Sequence, residues 1–295
     1  MAHTARTTRI TRSAHLRRTL RREVPGTVGL LADPADFAAM TAYPTFPFDD
    51  PADHDGYLRL MHDLLKSRTA RGVHTTIALF DPEDYLDFCE EDALDPDSPT
   101  ARTRFTAALC ATGTAVPYEG QPMDTLVPHL VDATVRQATW EYATLLLAGL
   151  GPCADCGADI GHSAFERAGR VLERLLAGAG PGALHLVVSV PAEAEQLVAA
   201  LRPDGPDRDR TDFLTVLAAG IGLQRPGGVV LRRTAAGEPD RLHGWRLDRG
   251  TLLPISAAEV FNAYCTDADT GDLLPPEPGV EYCPGYPVDE GGPHH

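Results

Sequence analysis

Three times along the chain a short apolar run is followed at once by proline and acids. The first run, Thr27 to Ala32, suits a buried strand. After it, Asp33-Pro34 and Asp36 supply a helix N-cap, a proline for the first helical position and an acid for the positive end of the helix dipole. The second run, Val73 to Phe80, alternates and is β-branched at its start. Asp81-Pro82-Glu83-Asp84 then opens a helix through Tyr85, Phe88 and Cys89. The third, Leu184 to Val190, is followed by Pro191, Glu193 and Glu195 and a helix to Leu201. Strand-then-helix junctions with the same punctuation predict an α/β fold. Its centre would be a mostly parallel sheet with crossover helices, holding segments 27–32, 73–80 and 184–190 together.

Helical periods between these runs predict helices at 57–70, 100–111 and 125–149. On the last and longest, Val127, Val131, Val135, Ala138, Tyr142 and Leu145 form one stripe, expected to face a large packing surface. Ser163 and Glu166 have capping-box spacing and would open a helix running to Ala177. The C-terminal third changes period. Short strands at 228–234, 241–247 and 251–255, joined by tight turns, predict a small antiparallel β-meander over 228–256. A second capping box, Ser256 with Glu259, begins a helix ending at Cys265. Residues 1–25 are nearly devoid of apolar side chains and read as a basic mobile arm. Residues 26–265 read as a single α/β globular domain, and 266–295, rich in Pro, Gly and acids, as a loosely ordered tail.

Composition narrows the function. Apolar residues make up 43% of the 295, enough for a sizeable core, yet the longest apolar stretch, Thr139 to Leu150, contains Glu141 and is too short to span a bilayer. Arg17-Arg18 and Arg21-Arg22 would begin an export signal only with an apolar run of about 7–15 residues behind them. Glu23-Val-Pro-Gly26 interrupts that run, so a cytoplasmic location is expected, with the six cysteines as thiols or metal ligands. The net charge is −16, and because residues 1–23 hold seven arginines and one acid, the remainder is more negative still. Such a body repels nucleic acid and anionic lipid, which leaves only the Arg6–Arg22 arm to touch phosphate. Lys66 is the single lysine, a bias expected of a GC-rich bacterial genome.

Cys153-Ala-Asp-Cys156-Gly157 is the sharpest chemical feature. Two thiolates two residues apart, with glycine after the second, let backbone amides turn toward both sulfurs, as in a zinc knuckle. Over these five residues the fragment resembles one knuckle of the zinc-ribbon proteins, although it sits between two predicted helices rather than in a β-hairpin. A structural zinc would draw its other ligands from His162, Cys265 and Cys283, or from His185. Unliganded thiols and a redox pair are the alternatives, the redox reading being weakened by the distance from Cys156 to the Ser163 cap.

Carboxylates at strand ends come second. In open α/β sheets ligands bind beyond the carboxyl ends of the strands. Asp33 and Asp81 would sit there, with Asp36 and Asp84 behind, as metal ligands, as acid and base, or simply as helix caps. The acidic run Asp49-Asp50-Pro-Ala-Asp53-His54-Asp55 lacks calcium-loop spacing and reads as a solvated loop capping the next helix. His74, His129, Trp140 and Trp245 read as packed. There is no GxSxG, HExxH or P-loop. The leading expectation is therefore a cytoplasmic, non-catalytic binding or regulatory protein with a protein partner and a structural zinc knuckle. Two alternatives stand beside it: metal-dependent hydrolysis or phosphoryl transfer at Asp33 and Asp81, and a nucleic-acid role for the arm. Whether the chain is an enzyme stays open between them.

Overall fold

The computed structural model describes residues 26–111, 114–193, 195–267 and 270–288, so the arm read at 1–25 lies outside the described residues. The chain divides into two compact units, Met1–Val135 and Arg136–His295. In the first, β1 (Gly26–Leu30) is followed by α1 (Pro34–Thr41), α2 (His54–Ala70), β2 (Thr75–Leu79), α3 (Pro82–Glu91), α4 (Pro99–Ala111) and β3 (Val116–Pro117). β1 and β2 pair in parallel from Gly26 opposite Thr75 to Leu30 opposite Leu79, and β3 joins β2 antiparallel. Helix starts follow the cap chemistry. Asp33 Oδ1 accepts from the Ala35 N–H at 2.7 Å, Asp81 Oδ1 from Glu83 at 2.7 Å and Asp84 at 3.3 Å, and Asp53 Oδ1 from Gly56 at 3.0 Å. Just past β1, the Leu31 N–H donates to Tyr57 Oη at 3.1 Å and the Leu31 carbonyl accepts from His54 Nε2 at 3.0 Å. These two bonds fasten α2 to the end of the strand and satisfy a buried peptide group that has left the sheet.

α5 (Met123–Ala148) leads from the first unit into the second. Its N-terminal half buries Leu126 and Leu130 in the first core, and its C-terminal half buries Ala143 in the second. Of the stripe expected on this helix, Val127 and Tyr142 pack against the two cores, whereas Val131, Val135 and Leu145 are exposed. Leu126 and Leu130 are displaced by one position from Val127 and Val131, which turns the most buried face by about 100°.

The second unit continues with α6 (Ile160–Gly178), β4 (Ala183–Pro191), β5 (Gln196–Leu201), α7 (Asp207–Gly222), β6 (Gly227–Thr234), β7 (Asp240–Asp248), β8 (Thr251–Pro254), α8 (Ala257–Tyr264) and β9 (Val280–Pro284). Its six-stranded sheet runs β5-β4-β6-β7, with β8 and β9 sharing the outer edge of β7. Only β9 is parallel to its neighbour there. At the β7–β8 hairpin the two loop residues, Arg249 and Gly250, both have positive φ, 48° and 75°, the mirror-image turn that matches strand twist. Within the segment read as a loosely ordered tail, β9 forms. Tyr286 beyond it accepts the Trp245 indole N–H at 2.8 Å and crosses that ring edge-on at 4.8 Å.

The expectation of a mostly parallel sheet is overturned. The sheets are mixed: segments 27–32 and 73–80 pair in parallel in a three-stranded sheet, whereas 184–190 lies in the mostly antiparallel six-stranded one. The cause is local. After β4 the chain does not enter a helix. It turns back as a hairpin, with Pro191 opposite Gln196 and the Ala192 N–H bonded to the Glu195 carbonyl at 2.8 Å. Residues 196–201 then alternate, burying Leu197, Ala199 and Leu201, and this period of two outweighs the helical propensity of their alanines and leucines. α6 likewise starts earlier than its capping-box spacing implies. Asp159 caps it by accepting from the His162 N–H at 2.7 Å, and Ser163 sits inside, its hydroxyl bonded to the Asp159 carbonyl.

α7 is the centre of this unit. Every residue from Asp212 to Ile221 is buried, because one side lies on β4 and β5 and another on α6. Its contacts are close enough to demand glycine. A Cβ at Gly220 would come within 2.5 Å of Leu247 Cδ2 and 2.8 Å of Val190 Cγ2. Burial also holds the Asp212 carboxyl above its usual range, against the pull of Arg208 and Arg136. Gly220→Ala should therefore lower stability by about 1–3 kcal/mol, the cost of overpacking a dense core. Chemical denaturation read by the unfolding midpoint checks this, and an unchanged midpoint would mean that α7 does not bear on the sheet as described.

Candidate functional site

The first unit has an open cleft of about 760 Å³ lined by Thr27 on β1, Thr45 and Pro47 on the α1–α2 connection, and Pro99, Arg102, Thr103, Thr106 and Ala107 on α4. A narrower cavity of about 210 Å³ adjoins it, with Pro47, Arg102 and Thr106 lining both. Its walls are apolar and aromatic: Met40, Phe46, Phe48, Tyr57, Met61 and Phe80 among them. The aromatic wall is cohesive, with Phe37 within 6.2 Å of Phe46 and 5.7 Å of Phe48, and Phe48 edge-on to Tyr57 at 5.2 Å. Glycine at position 29 keeps β1 low beneath it, since a Cβ there would meet the Phe80 ring at 2.9 Å.

Arg102 is the one charged side chain in either lining among the described residues. Its Nη2 donates to the Thr45 carbonyl and hydroxyl, both at 2.9 Å, and its guanidinium carbon lies 6.0 Å from the Phe46 ring centre. Its Nη1 is buried and has no hydrogen-bond partner. Thr45 is itself positioned by Asp97, whose Oδ1 accepts the Thr45 N–H at 2.9 Å. Those Thr45 contacts, and then the Arg102 charge, hold the Asp97 carboxyl below its usual range. A guanidinium with an unmatched donor in the lining of an apolar cavity leaves binding energy unsatisfied. None of these residues stood out in the sequence. The only signal was Thr45-Phe-Pro-Phe48, an aromatic run too long to be an ordinary turn between two capped helices.

The strand-end carboxylates are near enough to one another to interact and line neither of the two cavities. Burial first, then the charges of Asp81, Asp33 and Glu83, raise the Asp36 carboxyl above its ordinary 3.8, and Asp84 is raised by burial and by Asp81, Asp87 and Glu83. Asp33 and Asp81 each use one carboxylate oxygen, Oδ1, on helix N–H groups, and neither residue lines the two cavities. Tyr57 is pushed up to about 12 by burial, so at neutral pH it stays protonated and serves as the acceptor for Leu31.

The candidate metal ligands are spread out. Cys153 and Cys156 are in contact in the loop before α6. His162 Nε2 lies 3.4 Å from Glu166 on the exposed face of α6, and the buried Cys265 thiol donates to Tyr282 Oη at 3.5 Å. The Cys283 thiol donates to the Glu281 carbonyl at 3.7 Å, and His185, on β4, is lowered by burial and by Arg202 and Arg232. Among the described residues no group of three or more His, Cys, Asp or Glu side chains could hold a metal ion.

A family model described as a domain of unknown function, DUF8829, matches residues 15–121, a span that includes the cleft and all its lining residues. No curated protein and no solved structure matches the chain.

Because the Asp36 carboxyl titrates above its ordinary value in the fold, its protonation favours the native state. Its charge therefore detracts from stability at neutral pH, and the deficit disappears as pH falls through that raised value. Asp36→Asn should raise the melting temperature at pH 7, lose that advantage in acid, and keep the part due to burial at high salt, which screens only the neighbouring charges. Melting curves across pH check this, and an advantage that persists in acid would assign the effect to something other than charge.

Proposed function

We propose that the first unit is a non-catalytic binding module for a small amphipathic anion, a single carboxylate or similar group carrying an alkyl or aryl tail. One observation carries this reading: Arg102, the one cation in the two linings among the described residues, lines both the cleft with its threonines and the aromatic cavity. The anionic head would meet Arg102, with the Thr45, Thr103 and Thr106 hydroxyls close by, and the tail would enter the space between Phe48, Met61 and Phe80. A site of this composition, mostly apolar with a few converging polar groups, is what small-molecule pockets usually present. The module would work in a cytoplasm, where a charged ligand of this kind is carried or sensed rather than converted. No helix among the described residues is long and apolar enough to cross a membrane.

Calorimetric titration of the full chain with decanoate and, separately, with decanol tests the reading. Decanoate should bind and decanol should bind far more weakly. Arg102→Gln should weaken decanoate about tenfold, the equivalent of about 1.4 kcal/mol for a charge-assisted contact, without lowering the melting temperature of the unliganded protein by a comparable margin. Equal binding of acid and alcohol, or decanoate affinity indifferent to Arg102, would overturn it.

A further inference from the structure

We propose that Cys153 and Cys156 form a reversible dithiol–disulfide couple that exchanges with low-molecular-weight disulfides. The site lies in the second unit and is independent of the anion cleft.

The loop is built as a small closed frame. Pro152 and Asp159 form an antiparallel bridge, the Cys153 N–H donates to the Ala158 carbonyl at 2.8 Å, and the Gly157 N–H donates back to the Cys153 carbonyl at 2.9 Å. Gly157 closes the turn with a φ of 73°, a conformation that favours glycine. The Ile160 N–H reaches the Gly151 carbonyl at 3.1 Å, so the frame is anchored where α6 begins. Within it the backbone N–H groups of Cys156 and Asp155 and the Cys156 thiol all point at Cys153 Sγ. Two sulfurs held in contact by a fixed turn need little further ordering to bond to one another.

The expectation of zinc used the same two residues. A structural zinc needs four donors, and the described residues gather no third one beside the pair. Two thiols in contact are already the complete set for a disulfide. The earlier objection to redox chemistry was the distance to the Ser163 cap. That objection falls away, since α6 begins at Ile160 and the donors to sulfur come from the turn itself.

Exposure assigns the order of events. Cys156 is exposed and Cys153 is 8% exposed. Cys156, whose thiol points at Cys153 Sγ, gives up its proton to solvent, and its thiolate attacks one sulfur of a small disulfide RS–SR, forming Cys156–S–SR and releasing RS⁻. The Cys153 thiolate then attacks Cys156 Sγ, forming the Cys153–Cys156 bond and displacing the second RS⁻. The protons of the two cysteines end on the two RSH molecules. The protein loses two electrons and the small disulfide gains them, and a reducing dithiol runs the steps backward.

The test uses oxidised glutathione on the reduced full chain, followed by intact mass and peptide mapping. The expected product has lost two hydrogens, carries no glutathione, contains the 153–156 linkage and is restored by dithiothreitol. Cys153→Ser should stop at a glutathione adduct on Cys156, and Cys156→Ser should slow the first exchange about tenfold or more, because the remaining thiol is buried. Cys265 and Cys283 serve as internal controls. A wild-type protein that accumulates the adduct without closing the ring would overturn the proposal. So would purified protein whose pair holds one zinc ion per chain and does not exchange until a chelator is added.

Discussion

A helix buried on every side can persist only between two surfaces that both fit it, and α7 imposes that condition on the second unit. Leu186, Val188 and Val190 of β4 and the inward residues of β5 form one surface, and the apolar face of α6 forms the other. Gly220 lets the helix settle onto the sheet, and Gly222 gives room to Leu150 and Ala164. α6 is thereby located, and with it its first turn, where a Cβ on Gly161 would strike the Leu147 carbonyl at 2.7 Å. The loop holding Cys153 and Cys156 is what remains of the chain between these closely apposed helices. Its tight frame is a consequence of packing several residues away, and the contact between the two thiols follows from the frame.

The first unit meets a different constraint. Two parallel strands cannot be joined by a hairpin, so α1 and α2 must carry the chain across. The strand end is held by Tyr57 and His54 on Leu31, and the helix starts by Asp33, Asp53 and Asp81. Each of these groups bonds a peptide N–H or C=O and so holds the local backbone. Arg102 differs from them in having a buried donor without a partner, in a place where the walls are apolar and open toward solvent.

Caps and short strands were legible because their signals are local. Asp33-Pro34, Asp81-Pro82 and the Ser256 capping box each act within one turn, and the structure places helices at each of them. What escaped depended on distant partners. α7 has no polar face from Asp212 to Ile221, so no amphipathic period marks it as a helix. The hairpin at Pro191 carries proline and acids like the two true strand–helix junctions, but Val190 stands where those have the capping Asp33 and Asp81, and the strand finds a hairpin partner instead. The cleft is assembled from β1, the α1–α2 connection and α4, three segments far apart in the sequence, and Arg102 lies beside the packed stripe of Ala101, Phe105 and Leu109 as one arginine among several. The proximity of Cys153 to Cys156 was legible from spacing alone, but whether His162, Cys265 or Cys283 would join them was a tertiary matter.

The charge of the chain bears on what the cleft can accept. A protein with 42 acids against 26 bases is surrounded by a potential that discourages anions. At physiological salt that potential decays over about 8 Å, while a contact with a partly desolvated guanidinium is screened much less. A ligand with one negative charge therefore faces a weak long-range penalty and gains a strong local contact. A polyphosphate or nucleic acid multiplies the penalty and still finds a single cation, Arg102, in the linings. The remaining surface it would meet there is apolar, which rewards a hydrocarbon tail and nothing charged. The combination of an acidic body, one guanidinium and an aromatic cavity thus fits the proposed monoanion with an apolar tail better than a polyphosphate.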